Sequence, residues 1–146
     1  MDKEPKSASN IKDANIYFPC EKATENCLVR DFGNGLYELL EHPVMSDSCK
    51  FGDTILTKVE SSQQIQFIKV VQRSQYKEIS YLFAKEALET EEFAKFIKTI
   101  EEKNIYWQRD FGGLFCCFPR EKEVAEVQTL IALLCSGNLQ KNRDRD

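Results

Sequence analysis

The chain has a single histidine, His42, among 146 residues, so any histidine-dependent proton relay or metal centre must be built on that one side chain. No Cys-x-x-Cys or His-x-x-His spacing surrounds it, which removes the usual sequence basis for a zinc site. No apolar run approaches the ~18 residues of a membrane-spanning helix. The first fifteen residues also lack the uninterrupted apolar stretch of a signal peptide. A membrane partner is therefore not expected, and a cytoplasmic location is. Glycine is sparse, at 6 residues. Neither Gly33-Asn34-Gly35 nor Gly112-Gly113 is followed by the helix and Lys-Ser/Thr that a phosphate-cradling loop needs, and no cofactor is expected. Excess positive charge is missing too. Lys and Arg number 20 against 24 Asp and Glu, a net charge of -4, which opposes non-specific binding to nucleic acid or anionic lipid.

What is present describes a folded protein of modest size. Apolar residues make up 42% and charged residues 30%, an ordinary globular balance that argues against global disorder. A chain of this length buries ~70% of its unfolded surface in one domain or in two small lobes. The six cysteines, Cys20, Cys27, Cys49, Cys116, Cys117 and Cys135, are too few for a secreted disulfide scaffold of this length. Cys116 and Cys117 also sit side by side in a strand pattern, where neighbours point to opposite faces and do not readily bond. All six are read as reduced thiols.

Residues 1–15 and 141–146 are polar and without periodicity, and are expected as flexible tails. Residues 16–76 are strand-rich. Cys27 to Phe32 and Leu36 to Glu41 flank Gly33-Asn34-Gly35 as a hairpin. Gly52-Asp53 leads into Thr54 to Val59, and Ser61-Ser62-Gln63 separates that strand from Ile65 to Val71. An antiparallel meander or small barrel follows. Residues 77–140 change period. Ile79 to Phe83 is a strand, and Thr90 caps a helix with Phe93, Phe96, Ile97 and Ile100 on one face. Gly112-Gly113 turns a hairpin between Ile105 to Phe111 and Leu114 to Phe118. A last helix from Lys122 to Ser136 is expected to stop at Gly137. The class is α+β, with a ferredoxin-like half-pattern, β-α-β-β-α, in the second lobe. The two lobes are expected to form one compact unit.

Four turn motifs, Gly35-Leu36-Tyr37, His42-Pro43, Gly52-Asp53 and Gly112-Gly113, look like the Gly-Tyr hairpin, short proline segment, Gly-Asp strand entry and late Gly-Gly hairpin that follow in this order in an uncharacterised bacterial domain family of unknown function. The chain resembles that family over most of residues 27 to 139. The family carries Asn-Pro and aromatics where this chain has His42-Pro43-Val44-Met45, and Ser-Gly-His where it has Arg73-Ser74-Gln75-Tyr76. The resemblance therefore implies an architecture and no mechanism.

Candidate chemistry is thin. Cys116 and Cys117, Cys49, and His42 as a base are the groups from which a thiol-dependent hydrolase or transferase would be built. The plainer reading makes the thiols small buried hydrophobes in apolar strands and His42 a loop residue. Asp31 and Asp53 are a conceivable carboxylate pair, but beside Gly33 and Gly52 they are expected to cap turns and stay solvated. Tyr106, Trp107, Arg109, Asp110 and Phe111 combine aromatics with an arginine, as contact hot spots do. Alternation places Trp107, Arg109 and Phe111 on one face and Tyr106, Gln108 and Asp110 on the other. The plainer reading has Trp107 and Phe111 packing under the helices.

The expected function is a non-enzymatic protein-binding module, such as an inhibitor or a toxin-neutralising immunity protein. Its acidic surface would steer it onto a basic toxin or enzyme. The alternatives are the thiol enzyme and a nucleic-acid-binding protein, the latter predicting affinity that falls steeply with salt.

Overall fold

The structure is a computed structural model that describes the backbone of residues 10–144 and the side chains of residues 10–136. The chain divides between Gln75 and Tyr76 into two compact units. Their buried apolar residues form separate clusters, so each unit carries its own core.

Five strands make the first unit: β1 (Ile11–Phe18), β2 (Ala23–Gly33), β3 (Leu36–Leu39), β4 (Thr54–Ser61) and β5 (Gln64–Gln72). Each pairs antiparallel with the next, and β1 meets β5 to close a barrel. An up-and-down run of five strands leaves the first and last pointing the same way, so the closing pair must be parallel. It is registered at Ile16 with Ile65 and Tyr17 with Gln66. Period-2 alternation turns Ala14, Ile16 and Phe18 of β1 inward, and likewise Cys27 and Val29 of β2, Tyr37 and Leu39 of β3, and Ile55 of β4. Full burial of each large aliphatic or aromatic side chain among them contributes ~1.5–3 kcal/mol.

Two expectations change here. Ile11 to Asn15, expected in the flexible tail, pair with β2. Ile11 is exposed and Lys12, Asp13 and Asn15 are polar, which hid a strand whose inward apolar residues begin only at Ala14. Residues 1–9 of that expected tail lie outside the described residues. Asp53, expected to stay solvated, is fully buried. Its Oδ2 accepts from the Lys50 N–H at 2.9 Å and its Oδ1 from the Ser74 N–H at 2.7 Å. Arg73 Nη1 stands 3.6 Å from Oδ2.

The irregular segment between β3 and β4 is held by carboxylates from the start of β2 and the turn before it. Glu25 accepts from the Val44 and Met45 N–H groups at 2.8 and 2.9 Å. Glu21 accepts from Ser46 Oγ at 2.9 Å and the Asp47 N–H at 3.2 Å. The Ser46 hydrogen bond leads the causes that hold the Glu21 carboxyl below its ordinary value.

The second unit runs β6 (Ile79–Leu82), α1 (Lys85–Leu88), α2 (Glu91–Glu102), β7 (Tyr106–Asp110), β8 (Leu114–Phe118), a 3₁₀ turn (Glu121–Glu123) and α3 (Val124–Asp144). Its antiparallel sheet has the order β6-β8-β7. Thr90 caps α2 by accepting from the Phe93 N–H at 3.1 Å. That fixes the stripe Phe93, Phe96 and Ile100 against Phe115 and Cys117 of β8 and against Val127, Ile131 and Leu134 of α3. Phe83 meets Phe93 edge-on, with ring centroids 5.4 Å apart, a favoured aromatic geometry.

The last helix does not stop at Gly137 but continues to Asp144, which takes in Lys141 to Asp144 of the expected C-terminal tail. A glycine inside a helix costs only about 1 kcal/mol relative to alanine, too little to end one already running. Leu139, expected to fold back, lies outside the described side chains, and residues 145–146 of the expected tail lie outside the described residues. The unexpected helix α1 is a single turn, too short for a periodic signal. The class is α+β.

Candidate functional site

The turn between β7 and β8 is where exposed chemistry gathers. The register pairs Asp110 with Leu114, which leaves Phe111-Gly112-Gly113 as a three-residue loop. Phe111 therefore belongs to the turn and not to the strand face on which alternation placed it. Its backbone sits in the left-handed region at φ 52°, and its side chain is 76% exposed. For a bulky residue that conformation is uncommon and costs on the order of 1–2 kcal/mol. Gly112 follows at φ 83°, and the Gly113 N–H donates to the Phe111 carbonyl at 3.0 Å.

Arg109 is opposite Phe115 in register. Phe115 faces the helices as a core residue, so Arg109 is directed to the helix side of the sheet, at its exposed end. There Arg109 and Phe111 line a cavity of about 560 Å³ together with Phe83, Lys85, Leu88 and Glu89, and with the two loop glycines. The four α1-side residues were not among the sequence candidates. Lys85 and Leu88 belong to a helix too short to show periodicity, Glu89 is its C-cap, and Phe83 reads only as the end of a strand.

The other three candidates on β7 are engaged elsewhere. Trp107 packs against the helical core, with its ring 6.1 Å from that of Phe115. Its Nε1–H donates to Glu101 Oε2 at 3.1 Å. The plainer reading thus holds for Trp107 and fails for Phe111. Tyr106 and Asp110 share the opposite face in a ladder: Tyr106 Oη donates to Gln108 Oε1 at 2.7 Å, and Gln108 Nε2 to Asp110 Oδ2 at 2.8 Å. Of the five expected contact residues, the structure brings Arg109 and Phe111 together on an open cavity.

The thiols have the opposite character. Cys49, Cys116 and Cys117 are buried. Desolvation pushes Cys117 up to about 12 and raises Cys49 and Cys116 as well, although Ser80, 3.4 Å from the Cys116 Sγ, opposes the shift there. Cys27 is likewise raised to about 12 by burial. A thiol held protonated at neutral pH is a poor nucleophile. His42, half-buried in the first unit, accepts the Phe51 N–H on Nδ1 at 3.3 Å, whereas Cys116 and Cys117 belong to the second. Iodoacetamide at neutral pH is expected to label exposed Cys20 fast and Cys27, Cys49, Cys116 and Cys117 only as fast as the fold opens. Peptide mapping that finds rapid labelling at any of those four would restore the thiol reading.

The carboxylates serve separate structures. Asp31 accepts from the Gly33 N–H at 2.8 Å, as a turn cap, and faces Lys12 Nζ at 3.4 Å. Among the described residues no group of three or more His, Cys, Asp or Glu is placed to hold a metal ion. No helix there is long and apolar enough to cross a membrane.

No protein-family model and no curated protein matches the chain. Its fold is similar to the crystal structure of a hypothetical protein from Neisseria gonorrhoeae, with a TM-score of 0.58 and 15% identity, covering 88% of this chain and 89% of that one. At that identity the likeness speaks to architecture alone, which places the chain beside an uncharacterised bacterial protein without assigning it to a family.

Proposed function

We propose that the protein is a non-enzymatic protein-binding module, acting in the cytoplasm by occupying a partner as an inhibitor or a toxin-neutralising immunity protein does. The β7–β8 turn is its contact. One observation carries this reading: Phe111 is 76% exposed on a backbone at φ 52°, a position where folding is better served by glycine or asparagine. An aromatic ring held in water on a strained turn, next to an arginine, has the composition of a contact hot spot. The net charge of -4 supports a basic partner, because it accelerates encounter at low ionic strength. On the same reading the chain is a divergent member of the bacterial domain family that its turn motifs resemble. The succession β6, α2, β7, β8, α3 is then a ferredoxin-like pattern that lacks its last strand.

The thiol-enzyme alternative is disfavoured by burial of its thiols. The nucleic-acid alternative has only the barrel's strand content behind it, against an acidic net charge.

The test is a matched capture from the native host with the wild-type protein and with Phe111→Asn. Asparagine tolerates the left-handed region, so the variant is expected to keep wild-type stability or gain up to ~1 kcal/mol while losing a stoichiometric partner that wild type retains. If wild type captures no such partner, or the variant captures it equally well, the reading fails.

A further inference from the structure

We infer that the cavity beside the β7–β8 turn receives a peptide segment in which an apolar side chain stands next to a carboxylate. The inference rests on the binding reading of the same turn and names what the turn would hold. Its walls divide by chemistry. Phe83, Leu88 and Phe111 present apolar surface, and Lys85, Arg109 and Glu89 present charge around it. Among the described residues neither cation is paired with Glu89 or with any other carboxylate. Two lining cations against one lining anion give the wall of the cavity a positive excess on a chain whose net charge is -4.

That local sign selects a carboxylate. The Arg109 guanidinium offers a planar fork of donors that meets a carboxylate through two hydrogen bonds, and Lys85 adds a point charge. The apolar wall selects the neighbouring group. A cavity of about 560 Å³ is in the range that takes one large side chain with part of its backbone. Glu89 is left to accept from a backbone N–H of the same segment. The arrangement therefore reads an apolar residue and an acid together, and either one alone meets only half of it.

N-acetyl-phenylalanine carries a ring and a carboxylate and serves as the probe, with N-acetyl-phenylalanine amide as the same molecule without charge. Titration followed by amide NMR is expected to shift Leu88, Phe111, Gly112 and Gly113 with the acid. Loss of the charge-assisted pair should weaken the amide about tenfold or more. Arg109→Gln should cut that preference severalfold, and Lys85→Gln combined with Arg109→Gln should remove it, while the spectrum of each variant remains that of the folded protein. Equal affinity for acid and amide, a preference that survives the double substitution, or shifts confined to other residues would overturn the inference. A probe that fails while Phe111→Asn still abolishes capture of a protein partner condemns the assigned chemistry and leaves the binding module standing. A probe that binds as expected while no protein is captured supports the cavity chemistry and condemns the module.

Discussion

Replacing Asp53 by alanine is expected to lower the stability of the barrel by about 2–4 kcal/mol, the cost of taking a fully buried acceptor away from two half-buried backbone donors. The carboxylate is fully buried and ties two distant stretches of chain together. Oδ2 takes the Lys50 N–H at the end of the loop into β4, and Oδ1 takes the Ser74 N–H just beyond β5. Alanine removes both acceptors at once. Arg73 contributes much less. Its side chain is 72% exposed and stands 3.6 Å from the carboxylate, so Arg73→Ala should cost below about 1 kcal/mol after solvent screening. Urea unfolding read at the amides of Ile16, Val29 and Ile55 reports on the barrel alone, whereas Trp107 fluorescence reports on the other unit. A midpoint for Asp53→Ala equal to that of wild type, or an Arg73→Ala effect as large as that of Asp53→Ala, would show that the buried hydrogen bonds are not what holds this corner.

Gly35→Ala is expected to cost about 3 kcal/mol or more, because conformational strain and a backbone collision add. Gly35 has φ 82°, and a Cβ there would lie 2.7 Å from the Thr57 carbonyl oxygen. The neighbouring strand cannot easily retreat. The Gly35 carbonyl accepts from both the Thr57 N–H at 2.8 Å and Thr57 Oγ1 at 3.0 Å, a pairing that locks β3 against β4. Gly33 supplies the control, since it has φ 90° but nothing within 4 Å of an added Cβ. Gly33→Ala should show only the conformational part, ~1–2 kcal/mol. The same barrel amides measure both variants, and equal losses would mean that the collision at Gly35 is relieved without cost.

How far the sequence announced this molecule depended on whether the deciding contacts were local. The helix after Thr90 could be read because its cap and its stripe of Phe93, Phe96 and Ile100 lie within one short stretch of chain. The Gly112-Gly113 turn could be read for the same reason. Whether the strands of the first unit would stay a meander or close into a barrel could not, since closure depends on Ile16 finding Ile65 across most of the unit. Asp53 was misjudged because Gly52-Asp53 spells the same turn whether the carboxylate faces water or Ser74, and Ser74 is 21 residues away. The candidate site was half legible. Arg109 and Phe111 stood out by composition, but alternation extended the strand one residue too far and gave Phe111 the wrong surroundings. Lys85, Leu88 and Glu89 join them only through the folding of a one-turn helix.

The parallel closure of the barrel bears on how that unit breathes. Strand β1 is matched to β2 along all eight of its residues but to β5 only at Ile16 and Tyr17. Opening the ring at that seam therefore sacrifices the fewest interstrand bonds and leaves a twisted ribbon of strands intact, so the least costly excursion from the native state is an unrolling and not a dissolution. Amide protons along the seam should then exchange with solvent well before those between β4 and β5.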